Sequence, residues 1–403
     1  LRRWLPSSMR SIAAHYLLDQ GRLLERPVVR FDEQGRVLGV EQWQSLDSLP
    51  STEFYAGALC AGFVNAHCHL ELSHLHKKFR KGTGMAGFID QINALRDWAS
   101  DDVKTVLVRE WMDKLWKDGV SAVADISNDA SSFPVKSESP VYTRTFLEVF
   151  GTEPEDCQGV IDSVTALDKV AKEFGIDAAP TPHSCYTMSP ELLSASSAAG
   201  LKSGFLSYHS QESQEEEDLM ISGTGAMAEN RRRAGMSTPP VTGESSLKYF
   251  IDRLAAVKPA PHAEHILLVH NVTLKQDDVD AAKKAFNNVF WAICPLSNIF
   301  IHNALPPIEL MRKNGLKICL GTDSLSSNDD LDMMAEMKCL HTNFPQVPMN
   351  EILCWASSNG AQFLAKEDVL GSLAVGKRPG IVRISGLDEN GQLTDESRSE
   401  RII

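Results

Sequence analysis

The chain lacks a cysteine framework. Its eight cysteines, at 60, 68, 157, 185, 294, 319, 339 and 354, are scattered and contain no C-x-x-C pair. They read as the reduced thiols of a cytoplasmic protein rather than as staples. Long apolar runs are missing too: the longest, Ala56 to Val64, falls far short of the roughly 20 residues a membrane span needs. The first residues carry arginines and some apolar side chains, but His15 and Tyr16 interrupt the run and no small-residue cleavage site follows, so no secretory leader is expected. Residues 1–8 carry no pattern and alternation begins after Met9, which makes Met9 the expected natural start. Positive charge is also in deficit, with 40 Lys and Arg against 53 Asp and Glu, a formal charge of −13. That balance argues against a nucleic-acid polymer as partner.

What remains is an ordinary globular composition, 43% hydrophobic and 23% charged. The 403 residues exceed a catalytic barrel of about 250 by enough for a second small domain. The first sixty residues alternate β-like runs (SIAAHYLL, RPVVRFD, RVLGVEQW) with turns at Asp19-Gln20-Gly21 and Glu33-Gln34-Gly35, and IVRIS near the other end is punctuated by glycines in the same way. The two ends therefore predict one composite β-sandwich domain, residues 9–60 with 365–403.

Between them, eight β-like runs are each followed by a helical stretch: residues 62–67, 120–126, 141–149, 176–183, 204–209, 265–270, 289–294 and 316–323. Alternation of this kind implies parallel pairing, and eight units fit a (β/α)8 TIM barrel over residues 61–364 with its site at the strand C-terminal ends. An open doubly wound sheet satisfies the same strand count. One connection, 211–263, is long: it carries the acidic run Glu215 to Asp218 and the basic run Arg231 to Arg233, and reads either as a solvated loop with a helix or as a lid.

Metal-type residues collect at the strand ends. His67 and His69 end the first barrel strand two residues apart, so both imidazoles point to one face; alone they are as well explained by a satisfied polar pair. His209 ends the fifth strand with Glu212 three residues on, His270 ends the sixth, and Asp323 ends the eighth after Gly321. His67, His69, His209 and Asp323 together make a four-ligand set for one divalent ion, zinc first and iron as the alternative, with room for a water. Glu212 and His270 are the nearby proton carriers, although a core histidine bonded to backbone is the ordinary alternative for His270. His74 and His76, beside Lys77 and Lys78, read as surface residues.

The stretches AGFVNAHCHLELSHL, PHSCYTMSPEL, YHSQES, LVHNV, CPLSN, GTDSLSSNDDLDM and GSLAVGKRPG resemble the amidohydrolase superfamily, in its aminohydrolase and chlorohydrolase branch of adenosine-analogue, guanine and cytosine deaminases and triazine hydrolases. The resemblance runs in order from about Ile12 to Ile384. It implies a one-metal hydrolase in which His67, His69, His209 and Asp323 hold the ion, Glu212 shuttles protons to a ring nitrogen, His270 orients the attacking water and His183 touches substrate. No lysine stands at the fourth strand end, which removes the bridge of two-metal members. Two departures stand out: Arg378-Pro379-Gly380 replaces the usual Ala-Asp, and Cys68 lies between the two histidines, facing away as packing.

The implied function is a deaminase that replaces an exocyclic amine of a nitrogen heterocycle by oxygen, on a purine or adenine-nucleoside analogue. A chlorohydrolase, a cyclic-amide hydrolase, or a ligand-binding barrel with a structural metal are the alternatives. Glu71 and Ser73 are candidate contacts to a ribose or ring edge, with helix capping as an equal reading. Phe88, Trp98, Tyr186 and Phe300 offer stacking faces or plain packing. A homo-oligomer is compatible with the chain.

Overall fold

The computed structural model describes residues 9–49 and 51–403; the octet before Met9 lies outside them. Fifteen strands run in chain order. The first five are β1 (Arg10–Asp19), β2 (Arg22–Glu25), β3 (Pro27–Phe31), β4 (Val37–Gln42) and β5 (Glu53–Ala61). Next come β6 (Phe63–Cys68), β7 (Val120–Ser127), β8 (Tyr142–Val149) and β9 (Asp177–Pro182). The third group is β10 (Phe205–Ser210), β11 (His262–His270), β12 (Phe286–Ile293) and β13 (Ile318–Leu320), and β14 (Ile381–Ser385) and β15 (Arg398–Arg401) close the chain. By contact density the described residues divide into two units, those up to residue 65 with 113–122 and 332–403 in one, and 66–112 and 123–331 in the other.

In the first unit a seven-stranded sheet runs β15-β14-β5-β1-β3-β4, with β2 on β1. Its centre joins the two ends of the chain, because β14 pairs antiparallel with β5 (Val382 opposite Cys60) while β5 runs parallel to β1. The alternation in these strands puts Ile12, Ala14, Val29, Phe31, Leu59 and Ile381 into one apolar core.

The other eight strands form two four-stranded sheets, β6-β7-β8-β9 and β10-β11-β12-β13. The pairs β8 with β9, β10 with β11, β11 with β12 and β12 with β13 are all parallel. Such strands bury both faces, which is why VSAVADIS of β7 is buried throughout and carries so little charge. Hydrogen bonds link the sheets at their C-terminal ends: the His209 N–H donates to the His183 carbonyl, and the Asp323 N–H to the His67 carbonyl, each at 2.9 Å. Gly321 permits the second approach, since a Cβ there would stand 2.8 Å from the His67 nitrogen and 2.9 Å from its oxygen.

The helices between strands start and stop on legible signals. Ser189 caps Pro190–Ser203 by accepting the Leu192 N–H, and Gly204 ends it at φ +90°. Ser213 caps Gln214–Ser222, whose first turn carries Glu215 to Glu217 against the positive end of the helix dipole. LKYFIDRLAAV lies within helix Ser246–Val257, behind its own cap Ser245. Among the described residues no helix is long and apolar enough to cross a membrane.

Candidate active site

Strand ends of the second unit deliver the side chains. His67 and His69 leave β6 on one face, with their Nε2 atoms 3.1 Å apart. His209, at the end of β10, brings its ring to 4.8 Å from that of His67, centroid to centroid. Its Nδ1 meets the His183 carbonyl at 3.0 Å, so Nδ1 carries the hydrogen and the Nε2 lone pair is free to bind. Asp323 follows β13 in the left-handed region, φ +58°, and its Oδ1 lies 3.5 Å from both His67 Nε2 and His69 Nε2. The other oxygen accepts the Ser297 hydroxyl at 2.8 Å.

These groups fit a metal ion. His67, His69 and His209 offer ligand atoms within 4.8 Å of one another, and so do His67, His270 and Asp323. An ion held tetrahedrally at about 2.1 Å spaces its ligand atoms about 3.4 Å apart, which the separations of 3.1 and 3.5 Å bracket. Protonation agrees with that use. Burial, then neighbouring charge, pushes His69 well below its ordinary range, and burial takes His209 down to about 3. Burial would raise Asp323, but its hydrogen bond to His67 and the charges of His67 and His270 outweigh this and hold it well below the usual carboxylate range. His69 and His209 are thus favoured as neutral imidazoles and Asp323 as the carboxylate, the forms that bind cations. Cys68 is buried and its thiol pushed up by burial, in keeping with packing.

Two proton carriers adjoin the cluster. His270 ends β11 at φ +86°, a strained conformation of the kind found at functional sites. Its Nε2 lies 3.3 Å from Glu212 Oε1 and 3.7 Å from Asp323 Oδ2, while its Nδ1 meets the Asn298 amide at 3.2 Å. Burial pushes Glu212 well above the carboxylate range, Asp323 and Glu216 adding to it, which favours its protonated form. Behind it, Glu216 accepts the Gln211 N–H at 2.7 Å and the Ser246 hydroxyl, fixing the turn that carries Glu212.

A cleft of about 830 Å³, its open mouth included, lies over this floor. His69, His209, Glu212 and Asp323 reach it from the strand ends, and Met85, Phe88, Ile89 and Ile92 form an apolar wall from helix Gly84–Leu95. His67 and His270 lie fully buried beneath. His183 enters the cleft as expected, its ring stacked on His209 at 4.4 Å and its Nδ1 bonded to the Ser184 and Thr187 hydroxyls. Tyr186 and Phe88 line it; Phe300 is buried elsewhere, and half-exposed Trp98 donates to the His74 carbonyl.

Glu71 does not reach the cleft. Its carboxylate accepts the N–H groups of Asn128 (2.8 and 2.9 Å) and Asp129 (3.1 Å), because the turn Leu70–Leu75 swings it under that loop. His74 is likewise not a surface residue: it is buried, its ring nitrogens on the Glu71 and Arg96 carbonyls. Glu148, near the end of β8, is the carboxylate the sequence reading missed. It lines the cleft 3.7 Å from both His183 Nε2 and His209 Nδ1, and burial takes it to about 8. An acid set between Leu147 and Val149 in the apolar end of its strand was the available signal.

Comparison with known proteins agrees with this geometry. An adenosine deaminase of Helicobacter pylori is 26% identical over 374 residues, covering 88% of this chain and 86% of its own. A 5-methylthioadenosine/S-adenosylhomocysteine deaminase of Moorella thermoacetica is 25% identical, covering 85% of this chain and 76% of its own. The crystal structure of Helicobacter pylori aminofutalosine deaminase in complex with methylthio-coformycin superposes with a TM-score of 0.78 at 21% identity, over 98% of this chain and all of that one. Residues 58–402 match the Amidohydrolase family, most of the chain and every strand-end group described above, and the chain belongs to that family.

Proposed function

We propose that this chain is a metal-dependent aminohydrolase that deaminates the purine ring of an adenine-nucleoside analogue. One observation carries the reading: the buried carboxyl of Glu212 stands 3.3 Å from His270 Nε2 beside the cluster of His67, His69, His209 and Asp323. The names of the two deaminase relatives support the ring.

His67, His69, His209 and Asp323 would hold one ion, zinc by the mix of three imidazoles and one carboxylate. When bound, such an ion lowers the pKa of water towards about 7 and polarises the carbon–nitrogen bond under attack. Glu212 gives its proton to the ring nitrogen next to the amine-bearing carbon, so that negative charge does not build there. His270 and Asp323 take up one proton of the attacking water and return it to the departing amine, and the second water proton passes to Glu212 as the carbonyl forms, restoring its acid form. The carbon–oxygen bond forms, the exocyclic carbon–nitrogen bond breaks, and ammonia leaves. His183, stacked on His209, supplies a polar edge to the bound ring, whereas Glu71 acts by holding the Asn128 loop. Glu148, beside His183 and His209, keeps the cleft wall polar without adding charge.

This site implies a scaffold. The parallel sheets and the hydrogen bonds linking β9 to β10 and β13 to β6 support a closed (β/α)8 barrel over residues 61–364. The sheet shared by the chain ends supports a composite β-sandwich domain of residues 9–60 and 365–403. The direct test is zinc-loaded protein assayed for ammonia against adenosine analogues, guanine, cytosine and a chlorotriazine. Release from the adenosine analogues is expected; release only of chloride from the triazine would replace the reading.

A further inference from the structure

The excursion over residues 211–263 forms the far side of the cleft. Glu215 accepts the Ala86 N–H at 2.7 Å, near the start of helix Gly84–Leu95, and Asn230 donates to Asp90 at 3.1 Å. These bonds lay helix Ala226–Arg233 against the apolar wall. Of the three consecutive arginines that end this helix, Arg232 and Arg233 are exposed, but Arg231 turns inward. It lines the cleft at 6% exposure, its guanidinium 5.5 Å from the Tyr186 ring centroid.

Arg231 has no anion. Its Nε and Nη1 make no hydrogen bond, and among the described residues no carboxylate forms an ion pair with it. Arg96, the other guanidinium of the cleft, is already committed, donating to Asn128 Oδ1 at 2.6 Å with Glu71 at 3.8 Å. A buried guanidinium that meets only the Tyr186 ring and no anion is costly, so one that stands at a cleft wall calls for an explanation in what the cleft receives. Its planar fork suits the two oxygens of a carboxylate or phosphate. It also stands on the helical wall, apart from the strand ends that carry the proton carriers.

We propose that Arg231 binds an oxyanion carried on the substituent of the nucleoside substrate, an apolar tail lying along Met85, Phe88 and Ile92 and ending in a carboxylate or phosphate. The inference rests on the deaminase reading above and narrows its substrate class.

The test compares zinc-loaded wild type, R231Q and R231K on 5′-methylthioadenosine, S-adenosylhomocysteine, the methyl ester of the latter, and adenosine 5′-phosphate. The wild type is expected to favour one oxyanion-bearing nucleoside, S-adenosylhomocysteine through its carboxylate or adenosine 5′-phosphate through its phosphate, over 5′-methylthioadenosine and the methyl ester, and which of the two it favours identifies the oxyanion. For that substrate R231Q should raise KM by about tenfold to a hundredfold, the scale of a charge-assisted hydrogen bond, with kcat unchanged. KM for 5′-methylthioadenosine should stay the same, and calorimetric affinity for the anionic nucleoside should fall in parallel. R231K, which keeps the charge without the fork, should lose less, and it carries the test if R231Q does not fold. Loss of equal size on neutral and anionic nucleosides, or no anionic preference in the wild type, overturns the inference and leaves the deaminase reading standing. Ammonia from none of the four, with no calorimetric binding, overturns both.

Discussion

At the scale of single residues the chemistry turns on where protons sit. Burial and the nearby Asp323 disfavour the charge of Glu212 and push it up, while a hydrogen bond from His67 and the neighbouring His67 and His270 push Asp323 down. Two carboxyls around one imidazole, pushed apart in opposite directions, are the pattern of an acid and a base with divided roles. E212Q should lower kcat by about 10²–10⁴, the usual range for general acid–base groups, without changing zinc content; kinetics and elemental analysis on one preparation check this. D323A should lose both zinc and turnover, and a variant that retained full metal and full activity would remove Asp323 from the site. His67, His69 and His209 were readable because they sit at strand ends, where period-two geometry fixes the face, and Asp323 because it closes the last β-like run after Gly321. Glu71 was not, because two residues past His69 the strand has become a tight turn and alternation no longer applies. Arg231 was hidden in a run of three arginines, and only the helix decides which one points inward.

Among the elements, the turns just past the strand ends hold the strain. Gln211, His270, Asn271 and Asp323 all have positive φ without being glycine, and each is retained by surrounding contacts rather than by its own preference. Gly321 has the opposite task of leaving room. G321A would drive a Cβ into the His67 backbone and should cost about 1–3 kcal/mol in denaturant unfolding, with weaker zinc retention because His67 must shift.

Glu216, behind the Glu212 turn, gives a pH signature. Burial raises it from 4.5 to about 8, so between these values the folded chain keeps a proton that the unfolded chain has released. Stability therefore falls as pH rises through this window. E216Q, which resembles the protonated acid, should flatten that fall between pH 4.5 and 8 in urea titrations; an unchanged slope would show that Glu216 is ionised in the fold. The sequence offered only an acidic run here, normally a solvated face, and it took helix Gln214–Ser222 to bury Glu216 while leaving Gln214 outside.

On the scale of the whole molecule the site couples to stability, since a cation bound by the folded chain and not by the unfolded one adds RT ln(1 + [L]/Kd). Zinc at a hundredfold excess over its Kd should add about 2.7 kcal/mol, seen as a concentration-dependent rise in Tm that a chelator reverses. A Tm insensitive to zinc and chelator would mean that the His67, His69, His209 and Asp323 cluster does not hold the ion. The formal charge of −13 says nothing of a nucleoside held by a few local groups. Inside the cleft the charge that matters is of the other sign, that of Arg231 and Arg96.

The sequence by itself determined the strand–helix alternation, the polar residues that end the strands, and the order of motifs along the chain, because these depend on local periodicity and on side-chain type. Only the tertiary structure decided which of those residues meet. The approach of Asp323 to His67, and of Glu148 to His183 and His209, comes from pairing between strands far apart in the chain. The burial that favours the protonated form of Glu212 and leaves Arg231 without an anion has the same origin. Desolvation and charge coupling act through space, and a linear pattern carries neither distance nor depth.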